Sequence, residues 1–108
     1  MGQTGKGGAD ESSAVCAVMR AETKPGADLE FAALMRDFAY QVRSEEPGCA
    51  AYVVTRMMGS RNHFAVHARF DDMRAFNGHA TTEHLKRAMP RLTALLTTPV
   101  SMEIFLAV

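Results

Sequence analysis

Apolar and polar positions follow two periods along this chain, and the places where the period changes mark its elements. Ala14 to Glu22 (AVCAVMRAE) is a near-continuous apolar run of strand length, closed by Thr23-Lys24-Pro25-Gly26, where Pro-Gly is turn chemistry. It does not alternate cleanly, so it reads as a strand buried on both faces. From Asp28 to Ser44, the residues Phe31, Leu34, Met35, Phe38 and Val42 recur at helical spacing. Glu30, Arg36, Asp37, Gln41 and Arg43 take the other side, which predicts an amphipathic helix. Asp28 can cap or charge its start. Glu45-Glu46-Pro47-Gly48 ends it, because Pro cannot continue a helix and disfavours helical backbone at the residue before it. Cys49 to Met57 (CAAYVVTRM) is rich in strand formers, and Met58 to Asn62 turns the chain. His63 to Phe70 alternates, with Phe64, Val66, Ala68 and Phe70 on one face and His63, His67 and Arg69 on the other. The short loop predicts an antiparallel hairpin.

Asp71 or Asp72 starts a short helix, Asp72 to Gly78, with Met73 and Phe76 facing inward. The stretch His79-Ala80-Thr81-Thr82-Glu83-His84-Leu85 interrupts it. Thr82 is placed to cap a second helix, Glu83 to Leu96, whose apolar stripe is Leu85, Met89, Leu92, Leu95 and Leu96. Pro90 is expected to kink or break that helix near its middle. Thr97-Thr98-Pro99 ends it, and Val100 to Val108 (VSMEIFLAV) reads as a last strand. The order β-α-β-β-α-β is the ferredoxin-like pattern of the α+β class, an antiparallel sheet with helices on one face. The last strand is too apolar for a wet sheet face, so a second copy is expected to stack on the open side as a two-fold homodimer. Residues 1–13 are Gly-rich and polar without periodicity and read as a disordered tail, leaving 14–108 as the domain.

Composition narrows the classes. The chain has 108 residues, one domain's worth, with 12 basic and 12 acidic side chains. Zero net charge and the absence of a basic run argue against a nucleic-acid binder. Neither a membrane-length apolar stretch nor a signal-peptide core is present, which predicts a cytoplasmic protein away from membranes. Cys16 and Cys49 make neither a disulfide framework nor a metal motif and read as free thiols. No Gly-x-Gly-x-x-Gly and no metal-spaced His/Cys cluster occurs, so neither cofactor nor metal is expected.

The best candidates for chemistry are His79 and His84, which flank a helix start beside apolar sequence. They are five apart and would not share a helix face, yet across a helix break both can reach one cavity. The plain alternative is that His84 bonds locally to Thr82 or backbone and that His79 merely ends the short helix. His63 and His67 are roughly 13 Å apart along a strand at ~3.3 Å per residue and cannot chelate one ion. His67 beside Arg69 is either a pocket pair or a polar group of the dimer seam. Tyr52 is a cavity donor or a core aromatic. Arg56 and Arg69 can hold an anion, with surface ion pairing as the default. Met35, Met73 and Met89 fall on apolar stripes as flexible filling.

From Ala14 onward the chain resembles the antibiotic biosynthesis monooxygenase family of dimeric α/β-barrel proteins. The resemblance rests on Pro25-Gly26, Glu46-Pro47-Gly48-Cys49, Phe70-Asp71-Asp72 before Ala75-Phe76, His79 and His84 around Thr82, and Leu95-Leu96-Thr97-Thr98-Pro99. Its haem-degrading branch carries Trp where His79 stands and an iron-ligating His where Met89 stands. This chain has neither, which argues against haem degradation. The family's frequent Glu and Trp at the end of the third strand are Ala68 and Phe70 here. The resemblance implies cofactor-free oxidation of a quinol-like or polycyclic phenolic molecule by O2. A base removes a proton, polar donors hold the resulting anion, and a dry cavity lets it pass an electron to oxygen. His79, His84 and His67 are then the expected catalytic groups, and Tyr52, Arg69, Phe70 and Thr82 the expected substrate contacts. A phospho-sugar-type isomerase using the same histidines and a non-catalytic ligand-binding dimer are the alternatives.

Overall fold

The computed structural model describes residues 12–108, and the tail read over 1–13 falls, except for Ser12 and Ser13, outside them. The elements are β1 (Val15–Glu22), α1 (Asp28–Glu45), β2 (Cys49–Arg56), β3 (His63–Phe70), α2 (Met73–His79), α3 (Glu83–Thr93) and β4 (Ser101–Leu106). The strands form one four-stranded sheet in the order β2-β3-β1-β4. All its pairings are antiparallel, with Val18 opposite His67 and Val66 opposite Met19. This is the ferredoxin-like α+β fold that the pattern predicts.

One sheet face meets the helices. Phe64, Val66, Ala68 and Phe70 of β3 and Val15 and Ala17 of β1 pack there against Phe31, Met35, Phe38 and Val42 of α1. The period-two rhythm of β3 is realised to the residue, with buried and open positions alternating along its length. Within the single chain β1 is buried on its helix-facing side alone. Val15 and Ala17 are buried, but Cys16 and Val18 are only half-buried and Arg20 is exposed, because no element covers the outer face. All of β4 is exposed, since it is an edge strand that the helices do not reach.

Asp72, not Asp71, starts α2, accepting a 2.9 Å hydrogen bond from the Ala75 amide. Thr82 caps α3 as predicted, its hydroxyl accepting from the Leu85 amide. Pro90 does not break α3, which runs through it and ends at Thr93 rather than Leu96. Pro90 and Lys86, whose carbonyl loses its partner, both face solvent, so water can replace the missing bond. No helix among the described residues is long and apolar enough to cross a membrane.

Candidate functional site

Pro47 is where the site begins. It forces Glu46 out of helical backbone, to φ −116° and ψ 93°, so α1 stops there with the Glu46 amide bonded to the Val42 carbonyl. The extended turn sends the Glu46 side chain inward beneath the junction of α2 and α3. Gly48 permits the approach: a Cβ there would lie 2.6 Å from the Ala75 Cβ of α2. The Asp71 amide donates to the Gly48 carbonyl at 2.8 Å and fixes the same contact from the other side.

His79 is the last residue of α2 and His84 the second of α3. Between them the chain turns through Thr82, whose hydroxyl donates to the His79 carbonyl at 3.0 Å. Both rings thereby point at Glu46. Nδ1 of His79 lies 3.0 Å from each carboxylate oxygen, and Nε2 of His84 lies 2.5 Å from Oε2. The side chains are 11% (Glu46), 10% (His79) and 6% (His84) exposed, so the cluster is nearly dry. A carboxylate accepts, so the facing nitrogens donate. That leaves Nε2 of His79 with an acceptor lone pair and no partner among the described residues. Nδ1 of His84 stands 3.5 Å from Oε1 of the exposed Glu45.

The His79 ring also forms part of the wall of an almost wholly apolar cavity of about 270 Å3 between the helices and the sheet. Phe70 and Tyr52 stand 5.2 and 5.7 Å from it, centroid to centroid, and Met35, Met89 and Met102 complete the wall. Tyr52 is 2% exposed and its hydroxyl has no hydrogen-bond partner among the described residues. Burial, with smaller contributions from Cys49 and Glu46, pushes its phenol well above the ordinary range, so it remains an O–H donor. Burial likewise raises the Cys49 thiol, which bonds to the Ala51 carbonyl and stays protonated. A larger groove of about 590 Å3 runs along α1 and β2 past Arg36, Arg43 and Arg56, but it is open to solvent and holds none of the histidines.

The sequence-predicted residues therefore divide. His79, Tyr52 and Phe70 meet at the cavity. His84 does not bond locally to Thr82 or backbone; it reaches Glu46 from behind, while Thr82 shapes the turn. His67 and Arg69 do not join them: both are exposed on the far face of the sheet, away from the cavity, which removes the pocket-pair alternative and leaves the dimer-seam one. Arg56 is taken by Asp28 at 3.5 Å and lies over Phe64. Glu46 is the candidate site residue to which sequence reasoning gave no role. Its place in Glu-Pro-Gly reads as a helix stop and as one of the stretches that carry the family resemblance, and neither says anything of a partner 33 positions away.

The comparisons agree with this architecture. A solved structure of a candidate antibiotic biosynthesis monooxygenase from Caulobacter crescentus superposes with a TM-score of 0.86 at 24% identity, over 93% of this chain and 94% of that one. An antibiotic biosynthesis monooxygenase structure, 26% identical, covers 87% of this chain and 98% of its own with a TM-score of 0.80. A Mycobacterium tuberculosis protein gives 0.81 at 22% identity over 89% and 96%. No curated protein matches the sequence significantly. The sequence profile of the antibiotic biosynthesis monooxygenases matches residues 14–91, which include Glu46, both buried histidines and most of the cavity wall, and the chain belongs to that family.

Proposed function

We propose that the chain is a monooxygenase that oxidises a quinol-like or polycyclic phenolic molecule with O2 and needs no bound cofactor. The observation that carries this reading is His79, held by Glu46 on one side and bordering an apolar cavity on the other. Glu46 selects the tautomer with the proton on Nδ1, leaving Nε2 as the base. His79 takes a proton from the substrate, and the Tyr52 hydroxyl donates a hydrogen bond to the oxyanion that forms. The dry wall spares this electron-rich anion from reprotonation while it passes electrons to O2. One oxygen atom forms a bond to substrate carbon and the other leaves as water, and the substrate supplies all four electrons. Phe70, Met35 and Met89 offer a flat and adaptable surface to an aromatic ring.

The protein acts as a homodimer in this reading. Ile104, Phe105 and Leu106 are each about half exposed on β4, and both β2 and β4 are free sheet edges. Free thiols at Cys16 and Cys49 suit a reducing cytoplasm.

Oxygen uptake with a panel of quinols and anthrones tests the activity. His79→Ala should lower the rate by about 10²–10⁴-fold while the circular dichroism spectrum stays that of the parent. Uptake at the parent rate in that variant would remove the base assignment. Deuterium exchange into a carbonyl substrate without oxygen consumption would transfer the site to isomerase chemistry.

A further inference from the structure

Glu46, His79 and His84 bring together a carboxylate and two imidazoles, the donor set that imidazole-loving divalent metals take. Their ligand atoms all lie within 4.8 Å of one another, and the Glu46 contacts are 2.5 and 3.0 Å. Ligands about 2.1 Å from a metal stand about 3.0 Å apart at right angles and about 3.4 Å apart at tetrahedral angles. The two Glu46 contacts thus need only a small outward relaxation to admit an ion, and the imidazole nitrogens lie no more than 4.8 Å apart. Charge points the same way. Glu46 pairs with no Lys or Arg among the described residues, so its buried carboxylate has the two imidazoles as its partners and can accept a cation between them. The surroundings also fit. Nδ1 of His84 faces the Glu45 carboxylate, the outer contact that orients metal-bound imidazoles. A surface cleft of about 230 Å3 lined by Glu46, Gly48, His79 and Thr82 provides a way in.

We propose that Glu46, His79 and His84 form a binding site for a divalent transition-metal ion. The ion takes the place of the hydrogen bonds that Glu46 now accepts from the two rings. An ion on Nδ1 of His79 moves the ring proton to Nε2, and the nitrogen opposite the ion then donates instead of accepting. That last consequence rests on the base role proposed above; binding itself does not.

Calorimetric titration of the tag-free, metal-stripped protein with zinc chloride tests the site. The expected result is one zinc per chain, with a dissociation constant at or below about 10 µM. Glu46→Gln and His84→Gln should each weaken it by about 10–100-fold. The double variant His63→Gln/His67→Gln, which removes the exposed histidines, should bind like the parent. Nitrogen-15 NMR of the unaltered protein gives a readout that does not depend on variants folding. Zinc should shift Nδ1 of His79 and Nε2 of His84 to metal-bound values. Lack of heat and shift at 100 µM zinc, binding that survives His84→Gln, or shifts confined to His63 and His67 would each overturn the proposal. Because none of these readouts involves turnover, a failed oxygen-uptake assay leaves them standing.

Discussion

Nε2 of His84 and Oε2 of Glu46 meet at 2.5 Å across 38 positions of sequence. The same carboxylate also holds His79, so one side chain joins the end of α1 to the junction of α2 and α3. The contact is therefore structural and chemical together: it fixes which nitrogen of His79 carries the proton and ties down the turn that presents the ring.

Glu46→Gln keeps the shape and removes the charge. With the amide oxygen in the place of Oε2 it can accept from both rings, but the N–H2 in the place of Oε1 then stands donor against donor 3.0 Å from Nδ1 of His79. We expect a stability loss of about 1–3 kcal/mol by denaturant titration. Turnover should fall by about 10–100-fold with KM nearly constant, because Glu46 does not line the cavity. A change in KM alone would place Glu46 in contact with substrate.

Tyr52→Phe removes a hydroxyl that no described residue uses, so stability near neutral pH should be unchanged while the rate drops on the order of 10²-fold. The alkaline limb separates the two proteins as well. The folded phenol is raised above its unfolded value of about 10, so above that pH the unfolded state loses the proton first. Stability contributed by buried Tyr52 is fully present below pH 10 and is lost as pH rises further. This amounts to at most about 1.4 kcal/mol per pH unit. Tyr52→Phe should show a shallower alkaline decline in urea midpoints between pH 10 and 11.5. Parallel declines would mean that the phenol is not desolvated.

Gly48→Ala tests the close approach that seats Glu46. The new methyl meets Ala75 Cβ at 2.6 Å, so either α2 or the Glu-Pro-Gly turn must move. A loss of about 1–3 kcal/mol is expected on thermal unfolding. The accompanying Ala75→Gly change should recover most of it. Failure of that rescue would point to the turn's own backbone as the cause.

Phe105→Asp places a charge on the outward face of β4, beside Cys16 of β1. If a second copy covers this face, light scattering after gel filtration should show the parent at twice the chain mass and the variant at the chain mass. A monomeric parent would remove the dimer reading.

Much of the fold was legible along the chain because local rules agree with the tertiary outcome. Alternation in His63–Phe70, the helical stripe from Phe31 to Val42, and the cap at Thr82 each specify an element and its inner face, and the β-α-β-β-α-β order then leaves few topologies. The misreading at Pro90 has a local cause: a helix tolerates it there because water can serve the carbonyl of Lys86. His79 and His84 stood out in the sequence by residue type and by their place around a helix start. What they do was decided only by folding. Glu46 looks like a helix terminator, and nothing in its neighbourhood names a partner. The extended backbone before Pro47, the missing side chain at Gly48 and the packing of α2 and α3 carry its carboxylate to both rings. Hydrogen bonds and ligand sets depend on distances of about 3 Å, and such distances between residues this far apart in the chain exist only once the elements have packed.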